Sequence, residues 1–344
     1  MSDTSSSSSS SGRSSNGSSL SRGSDSSSGS DSSGSSVHRA AEDSTDESSE
    51  GSDDDDVLDG IFILTGDEIM RHGLLLLGYK AEQLDRQSKP RRKKHTAMFK
   101  GDYGASPQVV AQIFEDLQTT NIPSAKIHAA NMNDASHLLY TLAFMKSYPT
   151  EQQRANKWHL CDRLLRDNGW DMMKRLQALK ATKIVWPTQA EIGNQIFIGS
   201  IDGTHIKINE PNHPDFPKNT KAFSYKNKAA GLSYEIVLSL STSKIIWMNG
   251  PFLASVHDIR IFDSPGGLKE KLQGTGLRLI ADSGYGGRAH HQFISRLNSH
   301  DSPEVTNFKV RARMRHEGCN GKLKTFRIID SARFRHGEEK FKIA

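Results

Sequence analysis

The sequence predicts an α/β core in its C-terminal part, preceded by a small all-helical domain and a disordered, acidic, Ser-rich tail. Three observations predict this. Residues 1–60 consist almost entirely of Ser, Gly, Asp and Glu, with 13 acids against Arg13, Arg22 and Arg39. Such a segment has too little apolar surface to offset the entropy of ordering it. Over residues 96–190 apolar side chains recur at helical spacing. From residue 195 to 344 the period shortens to two, and acids followed by glycine stand where the alternating runs end.

Taken in order, residues 61–95 read as a linker with a basic cluster. The apolar run GLLLLGYK is too short to span a bilayer and suits a buried helical turn. KPRRKKH, residues 89–95, is a nuclear import signal, a phosphate-contacting arm or a solvated loop. SPQVVAQIFEDL opens with a capping Ser and a first-turn Pro, and sets Val109, Ile113 and Leu117 on one face. ASHLLYTLAFMKSY repeats the pattern with Leu138, Leu142 and Met145. PTEQQRANKW starts at a Thr150 cap near Glu151 and Gln153, and CDRLLRDNGWDMMKRLQAL supplies a further helix. Short helices joined by polar turns admit a helix-turn-helix that reads bases, and equally a plain bundle.

IFIGSIDGTHIKI then alternates as a strand, and YEIVLSLSTSKIIWMNG reads as two strands around a turn at Ser241 to Ser243. LRLIAD is a short strand of the buried kind, and SVHDIRIFDSPGGLKEKLQ provides helical connections. FKVRARMRHEGCNGKLKTFRII is mostly helix, with Met314, Leu323 and Phe326 as its apolar positions.

Charge narrows the partners. The chain has 45 basic and 40 acidic residues; beyond residue 60 these become 42 and 27, an excess of 15 positive charges. That excess favours a polyanion, with nucleic acid ahead of an anionic membrane surface, because no basic amphipathic or 18-residue apolar segment accompanies it. Cys161 and Cys319 lie far apart without a CxxC pair, which excludes a disulfide framework and a zinc finger and fits a reducing compartment. No apolar leader opens the chain. The tail is a solubilising leader or, with Ser beside acids, a kinase target that competes with DNA.

Asp202 in IDGTH and Asp282 in ADSGYGG each stand at a strand end with Gly following, which leaves the carboxylate at the sheet rim. Glu317 lies on a basic helix. Carboxylates converging on one point repel unless a hard dication neutralises them, the chemistry of Mg²⁺ or Mn²⁺. Two such ions about 3.5 to 4 Å apart activate water and stabilise a leaving 3′ oxygen. Each acid also has a plainer reading: Asp before Gly forms turns, and Glu317 can pair with His316 or Arg313.

IDGTHIKI, SYKNKAAGLSYEIVLSLSTSKIIWMNGPF, SVHDIRIF, LIADSGYGG and RMRHEGCNGKLKTFRII occur in the order that resembles the nuclease domain of Harbinger-like and plant-type DDE transposases. The likeness extends over residues 99–341. It implies an RNase H-like mixed-sheet catalytic core over residues 195–344, a nuclear DNA endonuclease that cuts at transposon ends, and two Mg²⁺ ions with Mn²⁺ as substitute. It also implies that Asp202, Asp282 and Glu317 are the catalytic, metal-holding acids, with His257 and Asp258 as an auxiliary HD pair. Expected partners are double-stranded DNA, a Myb-like helper protein and further copies of the chain.

Asp258 is either an auxiliary acid or a residue ordering its loop through backbone or Arg260, and His257 is expected in a supporting hydrogen bond. Trp186 and Trp247 read as core aromatics. Phosphate contacts are expected from Lys226, Lys228, Arg311, Arg313, Arg315 and Lys324. The family usually continues past SARFRHGEEKF into another helix, whereas this sequence stops at Ala344, so a C-terminal truncation that loosens Glu317 is expected. Two alternatives to the nuclease stay open: a domesticated DNA-binding protein that keeps the fold, and a hydrolase acting on a small substrate.

Overall fold

The computed structural model describes residues 63–85, 88–120, 134–208, 222–286 and 290–329. The expected tail and the closing segment SARFRHGEEKF lie outside them. Helices begin within the stretch expected to be a linker. α1 (Gly66–Leu76), α2 (Ala81–Asp85) and α3 (Lys89–Tyr103) precede α4 (Pro107–Thr119), α5 (Asp134–Ser147), α6 (Glu151–Trp158), α7 (Asp162–Ala178), α8 (Lys180–Lys183) and α9 (Gln189–Ile192). The basic cluster is thus the first two turns of α3, with Pro90 where a missing N–H costs nothing.

Local chemistry accounts for the helix starts. The Ser106 hydroxyl accepts from the Val109 N–H ahead of Pro107, and Thr150 and Gln153 exchange a reciprocal pair of bonds across the first turn of α6. The buried face of α4 differs from expectation: it is Val110, Phe114 and Leu117, and Val109 is half exposed. The adjacent valines permit two registers one residue apart, and the one that buries the Phe114 ring removes more apolar surface from water. α1 to α5 and α7 share one apolar core around Phe99 and Leu138, where the fully buried Tyr103 hydroxyl donates to the Gly73 carbonyl at 2.8 Å.

The second layer is a mixed sheet of β1 (Phe197–Lys207), β2 (Phe223–Ser224), β3 (Ala229–Ser239), β4 (Ile245–Leu253), β5 (Arg278–Ile280) and β6 (Ile294–Ser295). β3 lies antiparallel to β1, β2 and β4, while β1, β5 and β6 run parallel. Ile201 and Val237 point to the face packed by Phe262 of α10 (Asp258–Phe262) and by Leu268 and Leu272 of α11 (Leu268–Leu272). Trp186 and Trp247 sit edge to face at the border of this core. Ser200 and Asp202 point to the other face, which α12 (Pro303–Leu323) covers.

α12 overturns its expected apolar pattern. Met314 is exposed, and the buried positions are Lys309, Ala312, His316 and Asn320. These polar groups are buried because each has a partner: Lys309 bonds Asp301 and the Arg296 carbonyl, His316 bonds Ser200, and Asn320 bonds Asp202.

Candidate active site

The register of the parallel pair brings two of the expected acids together. Ser200 of β1 is level with Ile280, the last residue of β5, so two residues further on Asp202 and Asp282 lie side by side. Asp282 stands past the end of β5, whereas Asp202, expected at a strand end, lies mid-strand in β1, which continues to Lys207. The backbone turns immediately after Asp282, whose Oδ1 accepts from the Gly284 N–H at 2.8 Å. A third acid arrives from the opposite face. Asp258 is the first residue of α10, and its carboxylate lies against Gly203: a Cβ there would stand 2.6 Å from Asp258 Oδ1. Gly203 therefore leaves the slot through which Asp258 reaches the rim.

Electrostatics confirm the crowding. Burial, Asp282 and Asp258 push the Asp202 carboxyl up to about 6, against opposition from the Gly203 N–H and Lys226. Burial and Asp282 raise Asp258 likewise, with Lys226 and His257 opposing. Beneath them Glu235, the cross-strand neighbour of Gly203, is wholly buried. Burial pushes it up to about 8 although its Oε1 accepts from the Trp247 indole at 3.3 Å. Burial and these four carboxyls also hold the Tyr285 phenol well above its ordinary value. The donors facing the rim are all hard oxygens carrying more negative charge than Lys226 offsets, a set whose chemistry suits a hard dication. Among the described residues, no group of three or more His, Cys, Asp or Glu is drawn together tightly enough to hold a metal ion as it stands.

Residues 201–341 match the family described as DDE superfamily endonuclease. They form a DDE superfamily endonuclease domain. The match implies activity of the nuclease or transposase type. Searches of curated proteins and of solved structures returned no match. Among the described residues no helix is long and apolar enough to cross a membrane.

Within the endonuclease domain Glu317 is exposed on α12. Its direction follows from the helix. Arg315 donates to the Leu240 carbonyl and to Ser243 on the β3 side, and Glu317 lies about 200° further round. That turns Glu317 toward the β5 side, where Asp282 emerges. His316 between them is buried, accepts or donates at Ser200, and is driven down to about 4 by burial, so it is neutral at physiological pH.

Asn320 is the residue that sequence reasoning missed. Its Nδ2 donates to Asp202 Oδ2 at 3.0 Å, while its Oδ1 is buried without a partner. No periodic signal marks it. The Asp258 carboxylate faces Gly203 and Gly284, with Asp282, Lys226 and His257 as its charged surroundings. His257 caps α10 by its backbone alone and is exposed.

Of the expected phosphate contacts, Lys226 and Lys228 occupy the exposed turn between β2 and β3, beside Tyr225, which is 85% exposed. Arg311, Arg315 and Lys324 are exposed on and after α12; Arg313 is half-buried.

Proposed function

We propose that the chain is a divalent-metal-dependent DNA endonuclease of the transposase type, cutting phosphodiester bonds at transposon ends. The observation that carries this reading is the convergence of Asp202, Asp258 and Asp282 where β5 ends beside β1, within a DDE endonuclease domain, with Asp202 raised by burial and by its acidic neighbours. Strand order supports an RNase H-like core, since β4, β3 and β1 are antiparallel and β5 and β6 follow parallel to β1.

In this reading Asp202, Asp282 and Glu317 are the catalytic acids that hold two Mg²⁺ or Mn²⁺ ions, with Asp258 in support. Bound there, the ions supply a nucleophilic water and relief of charge at the leaving oxygen. Lys226 and the α12 arginines bind the flanking phosphates, and Asn320 orients Asp202. We assign residues 96–190 to a helical DNA-facing domain, residues 195–344 to the endonuclease, and the 89–95 cluster to nuclear import. Homo-oligomers on DNA and a Myb-like helper complete the reading.

A second reading is favoured by one observation: Glu317 is exposed to solvent. It is a DNA-binding protein that keeps the domain without the reaction. Supercoiled plasmid incubated with Mg²⁺ or Mn²⁺ separates the two. Nicking by the wild type, abolished by EDTA, Asp202→Asn and Asp282→Asn with DNA binding retained, establishes the endonuclease. Binding without nicking, on plasmids that carry transposon ends as well, establishes the second reading.

A further inference from the structure

On the face of the sheet that carries Asp202, a cavity of about 580 Å³ lies between β1, β3 and β4 on one side and α7 and α8 on the other. Its walls are mainly apolar, among them Ile206, Ile236, Met248, Met173 and Leu176. Three features distinguish it from a packing defect. Thr204 lines it with a hydroxyl that is buried and has no hydrogen-bond partner, a group that a permanently dry cavity leaves at a cost. Lys180, Lys183 and Lys324, all exposed, stand at its edge. Its position is the third feature. Thr204 is one rung, about 7 Å, along the same strand face from Asp202, and Ile236 is the direct cross-strand neighbour of Asp202.

A DNA strand with a phosphate at the aspartates therefore places its next nucleotide at this cavity. The volume lies within the range of about 300 to 1,000 Å³ common to small-ligand sites. Apolar walls with one hydroxyl suit a nucleobase, which has two apolar faces and a polar edge. The lysines match the phosphates on either side. A paired base has its faces stacked and its edge occupied, so the occupant must be unpaired.

We propose that this cavity receives an unpaired nucleotide of the strand processed at the aspartates. The base lies between the Met248 and Leu176 walls with its edge bonded to Thr204 Oγ1, and its flanking phosphates lie beside Lys180 and Lys324. This inference rests on the DNA-cleaving reading of the aspartates.

The test compares two duplexes of equal length, one fully paired and one with a single unpaired 2-aminopurine nucleotide, binding full-length protein without added metal so that no cleavage intervenes. The unpaired duplex binds about tenfold more tightly, the contribution of one stacked base, and its fluorescence changes on binding. Met248→Trp and Leu176→Trp fill the cavity from opposite walls and remove the preference, with thermal stability and paired-duplex affinity kept. Thr204→Val, which removes the orphaned hydroxyl, raises the melting temperature of the free protein while weakening the preference. Equal affinities overturn the inference and leave the DNA reading standing. So does a preference that survives both Trp variants. Failure to bind either duplex overturns both.

Discussion

The helical layer around Phe99 and the seam between α12 and β1 bury their residues by opposite means. In the first, rings and aliphatic chains from six helices, α1 to α5 and α7, interlock, and Tyr103 alone among its largest members carries a polar atom, bonded to Gly73. In the second, the buried face is Lys309, Ala312, His316 and Asn320, held by paired polar groups. An apolar core tolerates small shifts, whereas a hydrogen-bonded seam fixes register. His316 meets Ser200 and Asn320 meets Asp202, so four helical residues, about 6 Å of rise, are matched to two strand residues, about 7 Å. The candidate active site lies on the seam that fixes register.

The largest expected effect breaks the first region and spares the second. Phe99→Ala removes a fully buried ring and leaves a cavity against Gly73, so chemical denaturation should show a loss of about 3–5 kcal/mol. Nicking per folded molecule should be unchanged. A parallel fall in specific activity would show that the helical layer shapes the site.

The apolar region was legible in the sequence, and the seam was not. Helices reveal themselves through spacing, caps and prolines, as Ser106–Pro107 and Thr150–Gln153 do. An Asp with Gly soon after marks the end of β5 at Asp282, but not a strand end at Asp202, where β1 continues through Gly203 to Lys207. A buried His or Asn has no such periodic signature, because its burial depends on a partner far away in sequence. α12 was thus read through Met314, which is exposed, while Asn320 went unseen. Asp258 was ambiguous for the same reason: its place at the rim depends on the missing side chain of Gly203, on a different strand.

pH should divide the two regions next. Asp202 and Glu235 are carboxyls raised to about 6 and about 8, so between their unfolded values and these the native state binds more protons than the unfolded chain. His316, driven down to about 4, acts in the opposite sense up to about 6.5, so stability falls as pH rises from about 6.5 to about 8, by about 1–2 kcal/mol, in thermal melts with EDTA. The groups facing this pair are Asp258, Asp282, Tyr285 and Lys226. Glu235→Gln should flatten this decline. A curve that rises across this interval would refute the assignment of these carboxyls.

A smaller cost in stability carries a larger functional consequence at Asn320. Asn320→Ala removes the donor to Asp202 Oδ2 and should cost about 1 kcal/mol. Without that donor the Asp202 carboxylate is less stabilised, so the pH profile of nicking should move to higher pH and the rate at neutral pH fall about tenfold. Asn320→Gln, which keeps the amide, should recover part of both. A rate loss with an unshifted profile would mean that Asn320 merely packs α12.

The smallest effect tests the apolar region's own register. Val109 and Val110 are adjacent, identical in chemistry and equally compatible with a helical repeat, yet Val110 is fully buried and Val109 half exposed. Val109→Ala should therefore change stability by less than about 0.5 kcal/mol, and Val110→Ala by about 1–2 kcal/mol, in paired denaturation curves. Phe114 decides the register, since only the face through Val110 and Leu117 sends its ring inward. Phe114→Ala should then narrow the gap between the two valine variants, because the register loses the side chain that selects it. An unchanged gap would place the selection elsewhere, in the Ser106 cap that sets where α4 begins.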